Sequence, residues 1–238
     1  MPCHSCLLRR VWGDWTLDNP CSFKGPSPLY QSFSLHLRER WKAQYGEDSL
    51  PLPPTDVVHV VLEVREYNRK KKNQYQSGSR VIANLDSLVT AIKSIPGVKL
   101  TVQSFSHLDF KQQVALSHSA GVLLSMHGAG TANMFHAAVG APNCCALIEL
   151  FPDKSAPFHS IRGFGNLARH MGMHYYRYQA KSGDSSLRGT TIAVDTVVQL
   201  VQQAVAAVKN APSCLNNASS STVGLLSPPA VPLSSRMP

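Results

Sequence analysis

The residues best placed to do chemistry in this sequence are His127-Gly128-Ala129-Gly130 and Glu149, which stands roughly 20 residues further on. Gly121 to Met126 is a short apolar run, the small residues break it, and Thr131 to Val139 resumes with apolar residues at helical spacing. The pattern predicts a strand, a tight glycine loop and a helix. Gly140 and Pro142 end that helix, and Cys144 to Leu150 predicts a second buried strand whose one charge is Glu149. Right-handed crossover makes the two strands of such a βαβ unit parallel. The helix N-terminus then offers backbone N–H groups and the positive end of its dipole to a phosphate, and glycines let the backbone come close. A carboxylate closing the next strand is where a dinucleotide fold holds ribose hydroxyls. The spacing therefore predicts a nucleotide site, with His127, Gly128, Ala129, Gly130, Thr131 and Asn133 near the phosphates and Glu149 at the ribose.

Other readings of the same residues are weaker. A dinucleotide fingerprint wants a third glycine where Asn133 stands, which disfavours NAD. No Gly-Lys-Ser/Thr follows, which excludes a Walker loop. His-Gly-Ala-Gly resembles an esterase oxyanion loop, and Ser119 in Ser117-His118-Ser119-Ala120-Gly121 is a near miss to a nucleophile elbow. An elbow serine must follow a strand and open a helix, whereas Ser119 closes a helical stretch and precedes a strand. The plainest alternative is a glycine turn needed only for close packing, with His127 as a capping residue.

The elements that must position these residues alternate along the chain. Leu29, Phe33, Leu37, Trp41 and Tyr45 fall four apart on one helical stripe, read as a packing face, and Gly46 stops that helix. Pro51-Leu52-Pro53-Pro54 is a stiff linker and the best domain boundary. Val57 to Val64 is an apolar, β-branched strand. A loop leaving such a strand departs from the carboxyl edge of the sheet, so Arg65 and the Arg69 to Lys72 run can approach a diphosphate, although a lysine run is more often solvated loop. Asn84 is placed to cap a helix whose buried stripe is Leu85, Leu88, Val89, Ile92 and Ile95. Val98 to Ser104 alternates as a half-buried strand, and Ser106 to Asp109 reads as a capping box opening a helix through about His118. After Glu149 come a helical spacing in Ile161 to Met171, a strand at Met173 to Tyr178 and a helix at Val194 to Lys209. The expected architecture is α/β: a Rossmann-like parallel sheet of about five strands with flanking helices. Residues 1–54 form a remnant or linker with one amphipathic helix, 55–210 the nucleotide-binding domain, and 211–238 a disordered tail of Ser, Pro, Ala and Asn.

Composition narrows the function classes. Hydrophobic residues at 43% against 16% charged describe a chain able to bury a core. The net charge of +9 suits an acidic partner, but it is diffuse and carries no aromatic-glycine pattern of an RNA-binding sheet, so nucleic acid is not expected. Cys3 and Cys6 form a lone CxxC without the second pair that a zinc site needs, and Cys144-Cys145 read as buried thiols. Asn217-Ala218-Ser219 is a glycosylation sequon, meaningful in a secretory compartment. No stretch is apolar enough to span a bilayer and no signal-peptide core follows Met1, so a membrane anchor is expected only through a segment absent from this sequence.

Arg80-x-Ile82-x-Asn84, Ser104-Phe105 with Gln113, Ser119-Ala120, the block His127 to Met134, Gly140 and Glu149-Leu150-Phe151-Pro152 together resemble the C-terminal half of family 61 glycosyltransferases. Asn166-Leu167-Ala168 and Met173 to Tyr176 are similar as well, particularly to the animal EGF-domain-specific O-linked N-acetylglucosamine transferases. The resemblance covers roughly Val57 to Lys209, and Thr131-Ala132 stands where Leu-Thr is expected. It implies an inverting, metal-independent GT-B enzyme of the endoplasmic reticulum or Golgi lumen, without cofactor, using a UDP-sugar donor and a protein or polysaccharide acceptor. Arg65, Arg80 and Asn84 then complete the donor-binding set, and His107 and Asp109, just after a strand, are the candidates for the catalytic base. The N-terminal domain that such enzymes use for the acceptor is largely missing from the sequence.

Overall fold

The computed structural model describes residues 26–51, 56–66, 79–137, 145–153, 163–186 and 188–211. The N-terminal tryptophans and cysteines, the prolines Pro53 and Pro54, the Arg69 to Lys72 run, Gly140 to Cys144 and the tail with its sequon lie outside the described residues.

Helix α1 (Pro28–Tyr45) leads into β1 (Val58–Glu63), α2 (Leu85–Lys93), β2 (Val98–Gln103), α3 (Phe110–His118), β3 (Val122–Met126), β4 (Ala146–Phe151), α4 (Gly163–His170) and β5 (His174–Gln179). A two-residue ribbon, β6 (Ser185–Ser186) and β7 (Gly189–Thr190), precedes α5 (Val194–Lys209). The five long strands form one sheet in the order β2-β1-β3-β4-β5, with every neighbouring pair parallel. Strands β1, β3 and β4 are buried throughout because helices cover both faces. On one face Val60, Leu62, Leu124 and Ile148 meet Leu88 and Ile92 of α2 and Val197, Val201 and Ala204 of α5. On the other, Val61, Leu123 and Leu147 meet Met134, Ala168 and Met171.

The chain runs from β1 outward to β2, then crosses back to place β3 on the other side of β1. Loops leaving β1 and β3 therefore diverge, and a crevice opens between their carboxyl ends, where open α/β sheets bind ligands.

Several elements differ from expectation. Where a helix from Thr131 is expected, Ala129–His136 is a 3₁₀ segment. Thr131 N–H donates to Gly128 O (2.9 Å), and the Asn133 amide donates to Gly130 O (3.2 Å), which competes with a wider helical turn. The capping box sits three residues late, with Gln112 N–H on Asp109 Oδ1 (2.8 Å) and Asp109 N–H on Gln112 Oε1 (3.0 Å), while Phe105–His107 is a short 3₁₀ turn. Asn84 makes no side-chain cap to α2; its amide instead clamps Ile192, donating to the carbonyl (2.8 Å) and accepting from N–H (2.9 Å). The α1 stripe is not a buried packing face, since Leu29 is 76% and Phe33 49% exposed.

Leu124 sits fully buried at the centre of the sheet. Leu124→Ala is expected to lower the unfolding free energy by about 2–5 kcal/mol in urea denaturation, against about 0.5 kcal/mol or less for Leu29→Ala.

Candidate donor-binding site

Parallel register carries a row of polar residues across the sheet one step below its carboxyl edge: Gln103 beside Glu63, Glu63 beside Ser125, Ser125 beside Glu149, and Glu149 beside Arg177. Register partners point to the same face, and the row two residues earlier, with Val61, Leu123 and Leu147, belongs to the core under the 3₁₀ segment and α4. The polar row therefore lies directly below the glycine loop.

Glu63 is its centre. The side chain is 4% exposed, and Ser125 Oγ donates to its Oε2 (2.9 Å) while lying 3.1 Å from Thr131 Oγ1. Arg65 Nε stands 3.7 Å from Glu63 Oε1. Burial pushes the Glu63 carboxyl up, against the pull of Arg65, the Ser125 hydrogen bond and Arg80. Burial also lowers the Arg80 pKa, helped by the Arg65 charge and opposed by Glu63. Two guanidinium groups thus lie close to each other and to one buried carboxylate, at the β1/β3 crevice.

The glycines have a physical reason in this cluster. Gly128 has φ +153°, and a Cβ on it would collide with the Arg65 guanidinium and come 2.8 Å from Arg80 Nη1. A Cβ on Gly130 would come 2.6 Å from Glu63 Oε1. Only glycine lets the loop lie against the arginines on one side and the carboxylate on the other. Arg80 is held from behind, because the segment after it pairs with β7: Thr190 N–H donates to Val81 O (2.7 Å) and Ala83 N–H to Thr190 O (2.9 Å). Asn84, through its Ile192 clamp, fastens the same segment.

A second buried carboxylate fixes His127. Glu149 Oε1 accepts from His127 Nδ1–H (2.5 Å) and Oε2 accepts from Tyr175 O–H (2.8 Å). The imidazole is stacked on Phe151, with ring centroids 4.7 Å apart. Burial, reinforced by Glu149, raises the Tyr175 pKa, so its phenol stays a donor. Glu149 has no exposed surface and both oxygens are engaged inside the protein, so its place is behind His127 and not at a ribose.

The structure brings His127, Gly128, Ala129, Gly130, Thr131, Asn133, Arg65 and Arg80 to one crevice, with Glu149 beneath. Asp109 is engaged as the cap of α3, and exposed His107 pairs with Glu66 (3.3 Å) on the β2 side of the same edge. Glu63 and Tyr175 are additions to the expected set. The signal for Glu63 is visible in retrospect: like Glu149, it is the one acid in an apolar strand. Among the described residues no three His, Cys, Asp or Glu side chains group as a metal site requires, and no helix is long and apolar enough to cross a membrane.

Because the folded state raises the Glu63 pKa above its ordinary 4.5, the folded chain binds that proton more tightly than the unfolded one. This group therefore makes stability fall as pH rises from about 4.5 through the raised value. In urea denaturation at a series of pH values, Glu63→Gln is expected to remove that part of the fall; a parallel pH dependence in both proteins would show that Glu63 titrates normally.

The sequence model of the family described as Glycosyltransferase 61 matches residues 20–147. The EGF domain-specific O-linked N-acetylglucosamine transferase of Xenopus laevis is 26% identical over 156 residues, covering 64% of this chain and 25% of that protein. In Oryza sativa subsp. japonica, an alpha-1,3-arabinosyltransferase is 28% identical over 109 residues (46% of this chain, 18% of its own) and a beta-1,2-xylosyltransferase 27% over 113 (48% and 19%). The chain spans about a quarter of the length of the first of these relatives and less of the other two. The family match extends over more than half of the sequence and takes in β1, the glycine loop and the start of β4, so the chain belongs to the Glycosyltransferase 61 family.

Proposed function

We propose that this chain is the donor-binding part of a glycosyltransferase that takes a UDP-sugar, such as UDP-N-acetylglucosamine or UDP-xylose, and transfers the sugar to a hydroxyl of a protein or polysaccharide. The observation that carries the reading is the convergence of Arg65 and Arg80 on Gly128 at the β1/β3 switch point. Guanidinium forks match phosphate oxygens, and two of them at the carboxyl edge of a parallel sheet suit a diphosphate.

In an inverting displacement the acceptor oxygen forms a bond to the anomeric carbon from the face opposite the leaving group. The bond from that carbon to the β-phosphate oxygen breaks, and UDP departs with added negative charge. Arg65 and Arg80 stabilise that charge without a metal, since they are positioned before the reaction and need no reorganisation. His127, fixed by Glu149 and Tyr175, braces the loop that borders the phosphates. His107 beside Glu66 is the candidate to take the acceptor's proton, because Asp109 is engaged as a helix cap. The enzyme's setting by this reading is the endoplasmic reticulum or Golgi lumen, and its architecture GT-B.

A second reading is a nucleotide-binding relative without turnover. Calorimetric titration with UDP, ADP and uridine separates the possibilities. UDP is expected to bind, and Arg65→Gln and Arg80→Gln each to cost about 1.5–3 kcal/mol, roughly ten- to a hundredfold in affinity. Absence of UDP binding to the folded chain, or unchanged affinity in both variants, would overturn the donor-site assignment. UDP binding without UDP release from either UDP-sugar in the presence of acceptor would select the second reading.

A further inference from the structure

A pocket of about 420 Å³ opens between α1 and the C-terminal end of α3, lined by Arg38, Lys42, Glu47, Asp48, Leu50, Pro51 and His118. It lies at the amino edge of the sheet: Pro51 precedes β1 and His118 ends the helix leading into β3, whereas Arg65 and His127 follow those strands. A strand length, about 17–20 Å, separates it from the donor crevice.

The chemistry of the pocket is incomplete. His118 is 3% exposed, and its Nδ1 lies 3.1 Å from the Pro51 carbonyl oxygen. A carbonyl can only accept, so Nδ1 carries the proton and Nε2 presents a lone pair. Burial, with the nearby Arg38 and Lys42 charges, lowers the pKa of the ring and keeps it neutral. Nε2 is nevertheless buried without a hydrogen-bond partner among the described residues, as are Arg38 Nε and Trp41 Nε1. Native interiors rarely leave such atoms unmet. Lys42 is neutralised by Glu47 at 2.6 Å, so Arg38 is the cation that the cavity presents to a ligand. A smaller cavity of about 110 Å³ shares Arg38, Leu50 and His118 and adds the rings of Trp41, Phe110 and Phe135.

Arg38 can pair with a negative group, and His118 Nε2 with the Glu47 and Asp48 carboxylates can accept from hydroxyls, so the pocket, with the aromatic rings of the adjoining cavity alongside, matches a ligand that carries both on a compact ring. We propose that this pocket binds a polyhydroxylated carboxylate with the chemistry of a uronic-acid residue, its carboxylate on Arg38 and one ring hydroxyl donating to Nε2 of His118. The volume admits one such ring. The site is separate from the proposed donor crevice and stands or falls independently of it.

The test titrates the full chain with sodium D-glucuronate, methyl β-D-glucuronide, D-glucose and sodium acetate, read by calorimetry and by the histidine side-chain nitrogen signals. Glucuronate is expected to bind saturably, glucose and acetate about tenfold more weakly or worse, and the His118 Nε2 signal to shift on binding. Binding of the methyl glycoside as well identifies a glycan-linked residue as the source, and its exclusion identifies the free sugar acid. Arg38→Met keeps the aliphatic stem and is expected to weaken glucuronate about tenfold or more with an unchanged thermal transition. UDP leaves the glucuronate affinity unaltered. No glucuronate binding, equal binding of acetate or glucose, or unchanged affinity in folded Arg38→Met would overturn the proposal and leave water as the occupant.

Discussion

One buried carboxylate, Glu63, governs the geometry of the crevice. It lies at the last position of β1, beneath the glycine loop, with Ser125 donating to it and two arginines drawn toward it. An ionised carboxyl in such a place is costly unless it is paired and hydrogen-bonded. Much of the local backbone follows from meeting that requirement. Gly130 must lack a side chain so that the loop can close over the carboxylate, Gly128 so that the guanidinium groups can stand against the backbone, and Thr131 lies within reach of Ser125 to complete the polar chain.

Glu149 repeats the arrangement one strand further on. It interrupts an apolar run, occupies the same register row, and takes both its hydrogen bonds from within the protein, from His127 and Tyr175. The two acids have different effects. Glu63 organises positive charge at the mouth of the crevice, whereas Glu149 locks an imidazole against Phe151 and thereby anchors the other end of the glycine loop. Gly165 lies so close to Tyr175 that a Cβ would come 2.6 Å from its ring, so even α4 is shaped by this hydrogen-bonded chain.

The sheet and the long helices were legible in the sequence because their signals are local. The apolar runs at β1, β3 and β4 and the stripe of α5 can be read from spacing alone, and α5 spans Val194–Lys209 as expected. What escaped depends on contacts between residues far apart in the chain. Ser125 and Glu63 are 62 positions apart, and nothing in either neighbourhood predicts their hydrogen bond. The 3₁₀ segment replaces the expected helix for the same reason, since apolar spacing does not register the polar cluster below it. Glu149 was visible as a conspicuous lone acid, but its partner Tyr175 was not, and without that partner a ribose looked like the natural destination. Arg65 was singled out because the loop after a parallel strand has a known destination, a topological inference, whereas Arg80 entered only through the family resemblance.

Family membership and geometry meet at the β1/β3 crevice, where the matched segment supplies β1, the arginines and the glycine loop. By the proposed function, Arg65 and Arg80 are the groups that take the donor diphosphate. Titration of nitrogen-15-labelled chain with UDP, following the arginine Nε–Hε signals assigned through Arg65→Lys and Arg80→Lys, tests it most directly. Saturable shifts of the Arg65 and Arg80 signals are expected, with Arg38 and Arg177 unmoved. Binding of UDP that leaves both signals in place, or that moves Arg38 or Arg177 instead, would contradict it.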